Sequence, residues 1–193
     1  MNVLVACEYS GRVRDAFRAL GHNAWSCDLL PSETPSPWHL QGDVREHLDR
    51  EWDLIIAHPP CTDLAVSGAR WFARKAEEDR KAKRPDRQEA ALAFVRLFLD
   101  HPCPRVCVEN PVSIISSRIR PPDQIIQPWQ FGHGETKATC LWLKGLPALT
   151  PTNVVPGRAA RVHLMPPSPE RWKERSRTFE GIARAMAAQW GGL

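Results

Sequence analysis

The chain has 193 residues, 42% of them hydrophobic and 25% charged, with a formal net charge of +4. That length fits one domain with enough core for an independent α/β fold, and no apolar run approaches the length of a membrane span. The six cysteines, at 7, 27, 61, 103, 107 and 140, have none of the paired short spacings of a zinc site. With no signal peptide, disulfides are not expected and a soluble cytoplasmic protein is.

In chain order, Asn2–Cys7 reads as a first, central strand, Glu8-Tyr9-Ser10-Gly11 as a turn, and Arg12–Leu20 as a short amphipathic helix stopped by Gly21. Strand, glycine turn and helix N-terminus form the layout of a nucleotide-binding first crossover, although only Gly11 of the full G-x-G-x-x-G is present. Asn23–Cys27 is the second strand. Asp28 after it either accepts from ribose hydroxyls or caps a turn. Pro31–Pro37 is a loop, and His39–Val44 a short edge strand or turn. Its Asp43 suits an adenine amino group or loop amides. Trp52–Ala57 is the fourth strand, ending in His58-Pro59-Pro60, which cannot continue the ladder, and then Cys61.

About twenty residues then read as a loop, a length that is usually functional or disordered. Residues 70–87 hold eight Lys/Arg against four Asp/Glu. Arg70, Arg74, Lys75, Lys81 and Lys83, with Trp71 and Phe72 among them, suit a nucleic-acid contact or a solvated face. A helix over Arg84–Asp100 has Pro85 in its first turn and Leu92, Phe94, Val95, Phe98 and Leu99 as apolar faces. The strand Arg105–Asn110 carries Glu109 and Asn110 at its end. Strand, helix, strand predicts a right-handed crossover with the two strands adjacent. Ligands in open α/β sheets sit at carboxyl strand ends, so Cys61 and Glu109 would meet there as nucleophile and acid. Alone, Cys61 could equally be an inert buried thiol.

Ile114–Ile126 reads as a short helix and connector, and Thr136–Leu143 as a late strand. Gly145–Pro169 holds six prolines and reads as a linker. Thr178–Trp190 is a helix with Phe179, Ile182, Ala183, Met186 and Ala187 on one face. A second basic stretch, residues 158–177, has six Lys/Arg against two acids. The expected organisation is one domain over 1–193, with a proline-rich linker at 145–170 and a C-terminal helix in 171–193 packing back beside the first turn.

The order of these pieces resembles the cytosine-5 DNA methyltransferases. Cys7-Glu8-Tyr9-Ser10-Gly11 is similar to their first motif, Gly42-Asp43-Val44 to their Gly-Asp-Ile, and Pro60-Cys61 to their Pro-Cys nucleophile loop. Glu109-Asn110-Pro111 is similar to their Glu-Asn-Val, and Gly181-Ile-Ala-Arg-Ala-Met to their closing helix. The resemblance implies a Rossmann-like α/β fold that is S-adenosylmethionine-dependent, with a mostly parallel sheet and helices on both faces. It implies methylation of carbon 5 of a flipped-out cytosine in DNA through a covalent Cys61 intermediate. Glu109 would need a raised carboxyl pKa to meet ring nitrogen 3, Asn110 would order the loop, and the basic segment 70–87 would make the surroundings of Cys61 electropositive. S-adenosylmethionine would lie against Glu8, Tyr9, Ser10, Gly11, Asp28, Asp43, Pro59 and Pro60.

The chain departs from the family's pattern in several places. Val13 and Arg14 replace glycines, and Thr62 replaces a Gln. The Gln-x-Arg-x-Arg strand has no clear counterpart, Lys137 and Lys144 being the nearest cations, and the resemblance implies Lys137 as a further nucleic-acid contact. The separate target-recognition domain is missing, which is similar to the compact, phage-type members. That absence leaves open a homo-oligomer or a recognition partner. It also leaves open methylation of a free or single-stranded cytosine nucleotide, or a catalytically silent DNA-binding module.

Overall fold

The apolar run after Met1 becomes β1 (Asn2–Ala6), whose last four residues are fully buried. In the computed structural model, which describes residues 1–193, it is followed by α1 (Arg12–Ala19), β2 (Asn23–Asp28), β3 (His39–Gln41) and β4 (Leu54–Ala57). Then come α2 (Phe72–Lys81), α3 (Arg87–Leu99), β5 (Val106–Pro111), α4 (Ile115–Arg118), β6 (Gln124–Ile126) and β7 (Thr139–Lys144). The chain closes with α5 (Arg161–Leu164), α6 (Arg171–Ser176) and α7 (Glu180–Trp190).

All seven strands form one sheet, in the order β3-β2-β1-β4-β5-β7-β6. β1 to β5 run parallel, and β7 is antiparallel to both β5 and β6. Both faces are covered. Val3, Val5, Leu54, Ile56 and Cys107 pack with α1 and α7, while Leu4, Ala6, Ile55, Ala57, Val106 and Val108 pack with α3. Burial on both faces explains why these strands read as continuous apolar runs rather than alternating ones. The expected adjacency of β4 and β5 holds, with Ala57 opposite Val108. The order turns outward in both directions from β1 and β4, so the topological switch point lies between them.

Several expectations need correction. The basic stretch after Cys61 is not a loop but a 3-10 turn over Val66–Trp71 leading directly into α2. Its Ala, Arg, Lys and Glu are strong helix formers, and Arg74–Glu78 and Lys81–Glu77 pair at helical i,i+4 spacing. The helix stops where Lys83 adopts φ 51, a left-handed terminus. Asp79 of α2 is 1% exposed because Arg84 and Arg87 close over it. Their guanidinium groups, Arg87 foremost, hold its carboxyl below the usual carboxylate range.

Pro85 lies outside α3, whose N-cap is Asp86, accepting from the Gln88 and Glu89 amides. The connector after Pro111 contains a further strand, β6, too short at three residues to show a period. The segment 145–170 is not a free linker. Asn153 and Ala159 bridge to Phe131 and Glu135, and the backbone amide of Gly132 donates to the Asn153 carbonyl at 2.7 Å. The C-terminal segment is two helices, α6 and α7, rather than one.

Candidate functional site

β4 and β5 end side by side, and the residues following their last common pair are His58 and Glu109. Parity along the strands puts both on the face of Ile56 and Cys107. His58 Nδ1 lies 3.1 Å from Glu109 Oε2, with the two side chains 9% and 16% exposed. Burial opposes the charge on His58, but the hydrogen bond and charge of Glu109, with Glu8 behind, raise the imidazole above its ordinary value. Burial likewise raises the Glu109 carboxyl, yet the bond and charge from His58 and the charge of Lys137 outweigh it. Its net shift is downward. The two shifts agree: this is an ion pair. The raised Glu109 pKa expected from the sequence is therefore corrected, and its cause is a histidine that sequence reasoning passed over.

Cys61 follows the buried Pro59 and exposed Pro60, and is itself partly exposed. Its carbonyl accepts from the Leu64 and Ala65 amides at 3.0 and 2.8 Å, which starts a turn. Asn110, 1% exposed, donates from Nδ2 to the Pro59 carbonyl at 2.8 Å and so ties the Cys61 loop to β5. Burial raises the Cys61 thiol, and Glu109 adds to that, against Lys137 and Arg175. The cations acting on Cys61 thus come from the chain near β7 and from α6, not from segment 70–87. Lys137 donates to the Arg175 carbonyl at 2.9 Å, which brings those two together.

Cys7 in the turn after β1 is strained at φ 59, while Gly11 takes φ 71 at no such cost. Glu8 is buried and turned into α1. Its carboxylate accepts from the Val13 and Arg14 amides at 2.7 and 3.2 Å and from Ser10 Oγ at 3.4 Å. It occupies the helix N-terminus that an anionic ligand would otherwise use. Tyr9, 8% exposed, donates its hydroxyl to the Lys173 carbonyl at 2.8 Å and lies beside Trp172, so α6 covers it. Asp28 at the end of β2 is half-buried, accepts from the Leu30 amide, and has its carboxyl raised by that burial. Asp43 caps the turn over Val44–His47, accepting from the Arg45 amide, and its side chain is 39% exposed. Asp28 and Asp43 thus place two carboxylates at the end of β2 and just beyond β3.

The basic candidates divide. Arg70 and Lys83 are exposed and pair with no acid, whereas Arg74 and Lys81 are neutralised within α2. Lys75 is a structural strut. It bonds Asp63 at 2.6 Å and the Thr62 carbonyl at 3.0 Å, directly behind Cys61. Arg80 is a further exposed cation on the same helix. A groove of about 910 Å³ lies at the opposite end of the sheet, where Trp52 and Cys103 precede β4 and β5. No strand carboxyl end reaches it, so the strand ends around Cys61 are the better site.

No protein-family model and no curated protein matches the chain. Among solved structures it is similar to a protein described as a candidate DNA modification methyltransferase encoded within a prophage of E. coli. The TM-score is 0.51 at 15% identity, covering 87% of this chain and 56% of that one. The fold is Rossmann-like. At that identity the likeness concerns the fold alone, and this chain spans just over half the other's length.

Proposed function

We propose that the protein transfers the methyl group of S-adenosylmethionine to carbon 5 of cytosine in DNA, through a covalent adduct with Cys61. The observation that carries this reading is the convergence of Cys61 and Glu109 on adjacent strand ends beside the β1–β4 switch point. The description of the E. coli prophage protein as a candidate DNA modification methyltransferase supports it.

Carbon 5 of cytosine is too electron-poor to take a methyl group unaided. A thiolate adding at carbon 6 makes carbon 5 nucleophilic, which divides one hard step into two easier ones. When bound, S-adenosylmethionine supplies the electrophilic methyl group. Asp28 and Asp43 would hold its ribose and adenine, with Tyr9, Ser10, Gly11, Pro59 and Pro60 around them. Cys61 attacks, Glu109 meets ring nitrogen 3 and the exocyclic amine, and Asn110 fixes the backbone that presents Cys61. The strut from Lys75 and the cations Lys137 and Arg175 frame the same loop. Arg70, Arg80 and Lys83 reach phosphates.

One observation favours a second substrate. Since Arg74, Lys75 and Lys81 are already paired, the grip on a polyanion is weaker than the sequence count suggests, which suits a cytosine nucleotide. Labelled methyl transfer to duplex DNA, single-stranded DNA and dCMP decides between them. Transfer to duplex DNA, abolished in Cys61→Ser, is expected, with a trapped adduct on 5-fluorocytosine DNA in the wild type alone. Undiminished turnover by the serine variant would remove the covalent mechanism, and transfer to dCMP alone would move the substrate to the nucleotide. DNA binding without transfer to any acceptor would leave a silent binding module.

A further inference from the structure

The reading above asks Glu109 to give a proton to the base, but the protein holds Glu109 as a carboxylate beside a cation. The ring that makes it so is at the end of β4, three residues before Cys61. Its contact with Glu109 is a direct 3.1 Å bond through Nδ1. The other ring nitrogen, Nε2, is buried and bonds to no group of the protein. Charged groups face His58 from every neighbouring element: Glu8 from the turn after β1, Asp28 from β2, Glu109 from β5 and Lys137 from the approach to β7. Acids outnumber bases among them, which suits an imidazole that carries a proton.

We propose, resting on cytosine methylation as the reaction, that His58 is the positioning residue and proton store of Glu109. The Cys61 thiol first loses its proton to solvent. As the Sγ–C6 bond forms and the C5–C6 π pair moves into the ring, the Nδ1 proton of His58 passes to Glu109 Oε2 and on to nitrogen 3, leaving His58 neutral and Glu109 again a carboxylate. After methyl transfer the C5 proton leaves to solvent, its electron pair restores the C5–C6 double bond and the Sγ–C6 bond breaks. Nitrogen 3 then returns its proton through Glu109 to His58. The pair His58⁺–Glu109⁻ and the pair neutral His58–protonated Glu109 differ by one proton shifted along one hydrogen bond, so the acid is generated where it is used.

The test has two arms on the full chain. Nuclear magnetic resonance of labelled histidine, with no substrate present, should show His58 titrating above the ordinary value of about 6.5, and below it in Glu109→Gln. A wild-type value at or below the ordinary one overturns the proposal whatever the reaction. In the second arm, His58→Asn places an amide nitrogen where Nδ1 was. It can still donate to Glu109 but cannot store a proton. Single-turnover methyl transfer should fall roughly 10²-fold, the lower end for a positioned acid, with KM for DNA little changed and the basic limb of the rate–pH profile lost. A variant with wild-type rate and profile would show that His58 only orients Glu109, and the proposal fails. If instead the wild type forms neither adduct nor 5-methylcytosine, the reaction assignment is what has failed, and the two failures are told apart by that control.

Discussion

Gly11 sits at φ 71 as the N-cap of α1, with the Arg14 side chain folded back over it. That guanidinium is 1% exposed and locked by Asp15, Ser26 and Ser32, so a Cβ at position 11 would overlap a group with nowhere to move. Gly11→Ala should therefore lose about 1–3 kcal/mol from backbone strain and displacement of Arg14, read as a lower urea midpoint with unchanged slope. The His58–Glu109 pair makes a second prediction at this scale. His58 is raised, so its stabilisation is complete below the ordinary histidine value and is lost as pH rises through the raised one. Glu109 is lowered, so its share is complete above the ordinary glutamate value and fades as pH falls through the lowered one. Wild type should thus exceed Glu109→Gln in thermal stability most between about pH 5 and 6.5, with the gap closing toward alkaline pH. A constant gap across the range would mean the two groups are not ionised partners.

Among elements, α7 shows how a local signal depends on a distant neighbour. Its apolar face, from Ile182 to Trp190, is buried against α1 and the sheet, and Trp190 Nε1 donates to the Pro147 carbonyl at 3.0 Å. At its first turn the Gly181 amide donates to His133 Nε2 at 3.0 Å, and a Cβ there would overlap the Phe131 carbonyl oxygen. Backbone has come up against backbone, and only glycine permits it. Gly181→Ala should cost about 1–3 kcal/mol as overpacking, with faster hydrogen exchange in 180–190 and around Phe131. Protection unchanged in both segments would show that the helix can shift without loss. α2 is the opposite case, a helix held by charge, since Asp79 is its only buried residue.

For the whole molecule, the net charge of +4 says less than which cations remain unpaired. If the outer side of α2 meets DNA, Arg70, Arg80 and Lys83 release counterions and the paired Arg74 and Lys81 contribute less. Replacing the first three by Ala should flatten the slope of log affinity against log salt by about 2–3 units, near 0.9 per phosphate. The Arg74 and Lys81 replacements should flatten it less. Lys75→Ala should instead loosen the Cys61 loop and lower kcat, because that side chain is spent on Asp63 and Thr62. A flat wild-type slope would point to the nucleotide as substrate.

The sequence by itself determined the strand–helix alternation, the adjacency of β4 and β5, and the placing of Cys61 and Glu109 at neighbouring strand ends. These follow from local patterns: apolar runs stopped by prolines, a helical period between them, and the handedness of a crossover. Tertiary structure decided what those groups experience. The bond from His58 to Glu109 spans 51 residues and depends on strand register, which no local pattern carries. The place of His58 at the end of β4 was nonetheless within reach, since it directly follows the apolar run Leu54–Ala57. Lys137 and Arg175 approach Cys61 only because β7 inserts antiparallel beside β5 and α6 folds back over the turn after β1. Charge counts along the chain likewise could not separate the paired cations of α2 from the free ones. An ion pair is a property of two side chains meeting in space, and burial, which sets the sign of each pKa shift, is a property of the folded whole.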